Sequence, residues 1–118
     1  IYENGHVPSQ FGIGVRHLAE AALVMVRQAL DAFARLDTEQ ARSVIRADSE
    51  VDTEFKSIIR QLITHMMEDP RTITTSIDII TIARAIERIG DHAKNISEQV
   101  IYVVEGRDIR HTGKEVIK

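Results

Sequence analysis

The stretch DSEVDTEFKSIIRQLITHMMEDPRTITTSIDIITIARAIERIGD, residues 48–91, decides the fold. It reads as the end of one helix, a turn, and most of a second helix. The turn is Asp69-Pro70: the residue before a proline is driven out of the helical region, whereas the proline itself suits a helix's first turn. Upstream, Ala41, Ile45, Asp48, Asp52, Phe55, Ile59, Leu62 and Met66 recur in alternating three- and four-residue steps, with Val44, Val51 and Ile58 on the adjoining stripe. Downstream, Ile79, Ala83, Ile86, Gly90, Ala93, Ser97, Val100 and Val104 keep the same spacing up to Gly106, which predicts a left-handed cap there. A short connection between two long helices makes them antiparallel neighbours.

Towards the N-terminus, Val15, Leu18, Ala22, Met25, Ala29, Ala32 and Leu36 form a third seam of the same kind. Asp37 followed by Gln40 resembles a capping box and starts the next helix. The fold class expected is all-α, an antiparallel three-helix bundle with helices at about 15–36, 38–67 and 71–105. Residues 1–14, with Gly5, Pro8, Gly12 and Gly14, read as the tail of a preceding element. Residues 107–118 read as a basic tail through Arg107, Arg110, Lys114 and Lys118. Ala83, Gly90, Ala93 and Ser97 predict close approach of neighbouring helices, Gly90 costing about 1 kcal/mol of helix propensity.

Composition excludes several classes. Of 118 residues, 43% are hydrophobic and 28% charged, with two prolines and six glycines, which is a folding rather than a disordered composition. With no cysteine, disulfides, thiolate metal sites and thiol nucleophiles drop out together. A net charge of −3 gives no reason to expect nucleic-acid binding. No apolar run approaches the roughly 20 residues of a membrane span, so a soluble protein is expected, and the absence of cysteine fits a reducing, cytoplasmic compartment.

Two acidic pairs carry the chemistry. Asp48 and Asp52 lie four residues apart on an otherwise apolar seam, and Glu87 and Asp91 repeat that spacing beside Ile86 and Gly90. Both pairs lie roughly 29 Å from the Asp69 turn at 1.5 Å per residue, so in antiparallel helices the four carboxylates share one height. Four like charges in one groove raise one another's pKa unless positive charge intervenes. Arg84, Arg88 and Lys94 are near enough to supply some. A bound cation would supply more, and oxygen ligands suit magnesium, manganese or iron better than tetrahedral zinc. Asn95 and Glu98 extend the helix-three stripe, and His92 is a further candidate beside Asp91. The plainer reading is an ion-pair network in which Asp48 and Asp52 meet Arg84 and Arg88.

The segment Ala83-Arg-Ala-Ile-Glu-Arg-Ile-Gly-Asp-His-Ala-Lys-Asn-Ile96, taken with Asp48-Ser-Glu-Val-Asp52 and Met66-Met-Glu-Asp-Pro70, closely resembles the second half of PhoU-type phosphate-signalling regulators. The likeness covers nearly the whole chain. It implies a bundle that is one of two similar three-helix units, the other preceding residue 1. It implies metal contact at Asp48, Asp52, Glu87 and Asp91, with Asn95 following more weakly, in a cluster of iron, manganese, magnesium or zinc. It also implies a homodimer that acts with a phosphate ABC transporter ATPase and a membrane sensor histidine kinase, close to the inner membrane through these partners, to keep phosphate-starvation genes off.

Rival functions make separate demands. The five histidines, His6, His17, His65, His92 and His111, form no Glu-x-x-His pair of the di-iron enzyme kind. No nucleophile motif or nucleotide-binding loop stands out, so no catalytic residues are assigned. An enzyme would need a pocket with an open coordination position. A metal-free structural bundle would need each carboxylate matched by a basic side chain.

Overall fold

The computed structural model describes residues 7–111. Three helices, α1 (Ser9–Arg35), α2 (Thr38–Glu68) and α3 (Ile73–His111), pack against one another in a bundle of 66 × 26 × 16 Å. A single 3₁₀ turn, Pro70–Thr72, joins α2 to α3. The all-α antiparallel class therefore stands as the spacing predicts.

Both turns are made by aspartates. Asp37 accepts from the Gln40 backbone N–H at 3.1 Å, the first half of the expected capping box. The second half is replaced: the Gln40 side chain accepts from Arg35 Nη2 at 3.3 Å. Leu36, expected as the last seam position of α1, is instead its cap, at φ 53° and ψ 44°. That left-handed backbone lets the Asp37 N–H reach the Ala32 carbonyl at 2.9 Å. Asp69 accepts from the Arg71 backbone N–H at 3.2 Å and from Arg71 Nε at 3.0 Å, and its own carbonyl accepts from the buried Thr72 hydroxyl at 2.7 Å. Donation by Arg71 holds the Asp69 carboxyl below the usual carboxylate range.

The two helix ends differ from expectation. Helix α1 starts at Ser9, six residues before Val15, because Phe11 is buried and packs near the His65 ring of α2, centroids 6.0 Å apart. Gly14 sits inside this helix where a Cβ would meet Ile58 Cδ1 at 3.2 Å, so the glycine marks close approach of α1 to α2 rather than a break. At the other end α3 runs through Gly106 to His111. A glycine in a helix costs about 1 kcal/mol, which is too little to end one alone. The expected tail therefore holds helical residues at 107–111. The assignments for residues 1–6 and 112–118 lie outside the described residues.

The core is built from Phe11, Leu18, Met25 and Ala29 of α1, Val44, Val51, Phe55, Ile58 and Leu62 of α2, and Ala83 and Ala93 of α3. The stripe Val44, Val51 and Ile58 is thus the centre of α2's buried face, while Ile45, Asp48, Asp52 and Ile59 lie to one side, at the groove shared with α3. This shift turns the acidic pair from an interruption of the core into its border.

Candidate functional site

Three helices meet at Gly90. A Cβ placed there would lie 3.6 Å from Asp48 Oδ1 of α2 and 3.8 Å from the Sδ of Met25 of α1. These are ordinary contact distances, so the small residue lets the carboxylate lie against α3 without being sterically required. The Asp48 side chain retains 17% of its exposure. Burial pushes its carboxyl above the usual carboxylate range. Lys94 opposes this, and Asp91, Asp52 and Glu98 each push it further up.

The equal-height expectation is met in its main part. Asp48 and Asp52 from α2 and Asp91 and Glu98 from α3 share one electrostatic neighbourhood along the α2–α3 groove. Glu87 is half-buried, Asp91 exposed, and Asn95 and Glu98 exposed further along the helix. The positive charge at the aspartates is lysine rather than arginine. Lys94 Nζ is 3.9 Å from Asp48, and Lys56 Nζ, one turn beyond Asp52, is 3.1 Å from it. Arg84 and Arg88 are exposed and make neither of those pairs. His92 is also exposed.

As placed, these side chains do not form a coordination shell. Among the described residues no three carboxylates or imidazoles are gathered to hold one ion, and the two aspartates nearest the groove floor already face ammonium groups. Lys56 is the residue that spacing overlooked. Its signal was present, because a lysine four residues after an aspartate forms a helical ion pair.

The other side of α3 is different in kind. Ile82, Ile89, Ile96 and Val103 recur every seven residues and stay partly exposed, and Ile96 borders Leu30 and Phe33 of α1. Leu30, Phe33, Ile96 and Gln99 line an open hollow of about 290 Å³ there. Across the third interface, His17 Nδ1 of α1 lies 2.9 Å from Glu54 Oε2 of α2.

The architecture is that of an antiparallel three-helix bundle with an acidic pair on each of two adjacent helices. The family model described as the PhoU domain matches residues 15–100, and the chain belongs to that family. It is 50% identical over 111 residues to a phosphate-specific transport system accessory protein PhoU homolog of Pseudomonas putida, covering 94% of this chain and 43% of that protein. It is 45% identical over 101 residues to the phosphate-specific transport system accessory protein PhoU of Escherichia coli, covering 86% of this chain and 42% of the relative. The crystal structure of PhoU from Pseudomonas aeruginosa superimposes with a TM-score of 0.75 at 53% identity, over 77% of this chain and 44% of that one. The chain thus spans less than half the length of these relatives. No helix among the described residues is long and apolar enough to cross a membrane.

Proposed function

We propose that this bundle is a non-enzymatic regulatory module of phosphate homeostasis. It acts with a phosphate ABC transporter ATPase and a sensor histidine kinase to hold phosphate-starvation genes off when phosphate is plentiful. The observation that carries this reading is similarity over 94% of the chain to a phosphate-specific transport accessory protein. The groove supports an interaction bundle in part, since Lys94 and Lys56 face Asp48 and Asp52, while Glu87, Asp91 and Glu98 have no ion-pair partner among the described residues. A cytoplasmic homodimer belongs to the same proposal.

The test is genetic and biochemical. The chain, within its full-length protein, is returned to cells lacking their own phosphate-transport accessory protein, and a phosphate-starvation reporter is read at high phosphate. Repression to the parental level, with co-purification of the transporter ATPase or the kinase, is the expected result. An unrepressed reporter overturns the reading.

Metal binding is a second reading, favoured by the crowding of Asp91, Asp52 and Glu98 around Asp48. Asp48, Asp52, Glu87 and Asp91 would hold the ions, with Asn95 or Glu98 completing the set, and Lys94 and Lys56 would have to yield their places. Elemental analysis of untagged protein decides it, comparing the native chain with the combined Asp48→Asn, Asp52→Asn, Glu87→Gln and Asp91→Asn variant. Near-stoichiometric metal lost in the variant supports the cluster, and equal metal content in both removes it.

A further inference from the structure

The α2–α3 groove changes character along its length. Towards the Pro70 turn from the acidic pairs it opens into a hollow of about 280 Å³ lined by Phe55, Lys56, Ile59, Arg60, Ile63 and Arg84. The floor is apolar: Phe55 is buried, Ile59 half-buried, and Ile63 retains 45% of its exposure. The rim is cationic, with Lys56 and Arg60 one turn apart on α2 and Arg84 opposite on α3, and no carboxylate lines it. Lys56 leans on Asp52 at 3.1 Å, whereas Arg60 and Arg84 have no ion-pair partner among the described residues.

This combination selects its occupant. A free inorganic phosphate would lose hydration against isoleucine side chains. The volume suits one or two large apolar side chains, and exposed arginines add specificity and association rate when carboxylates arrive beside them. We propose that this hollow is a docking site for an acidic segment of a protein partner, which inserts a large apolar side chain against Ile59 and Ile63 while its carboxylates meet Arg60 and Arg84. The inference deepens the adaptor reading by giving the chemical class of its partner, and binding alone tests it.

The experiment is a peptide array of 15-residue helical sequences carrying leucine or phenylalanine anchors flanked by glutamate, lysine or serine. It is probed with the intact chain and with the Arg60→Glu/Arg84→Glu variant, each checked for helicity. Retention of the glutamate-flanked peptides is expected, at least tenfold weaker in the variant, with preference passing to the lysine-flanked set. Arg60→Gln/Arg84→Gln serves the same purpose should charge reversal disturb folding, and should weaken acidic peptides without gaining basic ones. Retention of no peptide, retention indifferent to flanking charge, unchanged retention by both variants, or displacement of acidic peptides by millimolar inorganic phosphate overturns the proposal. So does binding confined to anionic lipid vesicles. A negative array beside an intact repression assay sinks the docking site alone; a positive array beside failed repression sinks the phosphate-signalling role alone.

Discussion

Helix α3 has two unlike flanks. Towards α2 it presents Glu87, Asp91, Lys94 and Glu98 along a groove where Asp48 and Asp52 meet ammonium groups. On the other side it carries the partly exposed row Ile82, Ile89, Ile96 and Val103, with Ile96 beside Leu30 and Phe33 of α1, which are 52% and 62% exposed. The same helix thus borders its core with charge on one side and with aliphatic surface on the other. Border position, then, does not dictate chemistry. The apolar flank adds little to the stability of the isolated bundle because its side chains remain half in water, whereas the charged flank lowers stability wherever a carboxylate is desolvated faster than it is paired.

Substitutions at the junction of the flanks break or sharpen this contrast. Met25 lies beneath both, 1% exposed, so Met25→Ala should cost about 2–5 kcal/mol by denaturant unfolding. Leu30→Ala on the apolar flank should cost less than half as much, because Leu30 already keeps half its exposure. Equal losses would mean that the α1–α3 groove is closed in solution. Next in size, Gly90→Ala should raise stability by up to about 1 kcal/mol through helix propensity, since its Cβ meets only ordinary contacts. A destabilised variant would show that the three helices approach more closely than these distances state.

The charged flank predicts a pH dependence of definite sign. The folded Asp48 pKa is raised above its unfolded value, so the folded state binds this proton more tightly and the group's ionisation opposes folding. The cost is absent below the ordinary aspartate value of about 3.9 and fully present once pH exceeds the folded pKa. Asp48→Asn, measured with chelator present, should therefore raise the thermal midpoint at pH 7 and lose that advantage on acidification. A midpoint lowered at pH 7 would mean that Lys94 contributes more than burial costs. The smallest effect belongs to the ion pair of Arg42 and Glu105, which joins α2 to α3 near the other end of the bundle. Both side chains are about half exposed, so Arg42→Ala should change stability by no more than about 0.5 kcal/mol, and less in high salt.

Much of the fold was legible because helical spacing and turn chemistry are local. Asp37 and Asp69-Pro70 place both turns, and the α1 and α3 seams coincide with their buried faces at Leu18, Met25, Ala29, Ala83, Ala93 and Val100. Helix ends were less legible at Gly14 and Gly106, since local propensity says break and tertiary packing or continuity says continue. The α2 core draws on both rows: Ala41, Phe55 and Leu62 of the expected seam are buried together with Val44, Val51 and Ile58 of the adjoining stripe, while Ile45 and Ile59 stay half-buried, and spacing alone does not rank two adjoining apolar rows. At the candidate site, spacing brought together Asp48, Asp52 and Asp91 and named Lys94, but it paired the aspartates with Arg84 and Arg88 and passed over Lys56. Side-chain reach, not sequence distance, separates these choices.

By itself the sequence determined a three-helix antiparallel hairpin order, the two turns and the common height of the acidic pairs. These follow from periodicity, proline geometry and a fixed rise per residue. Only the tertiary structure decided how the two apolar rows of α2 share the core, which of the nearby cations face the aspartates and which flank of α3 stayed apolar and open. Each of these depends on the rotation of one helix against two neighbours, and a helix carrying apolar residues on adjoining stripes leaves that rotation to packing.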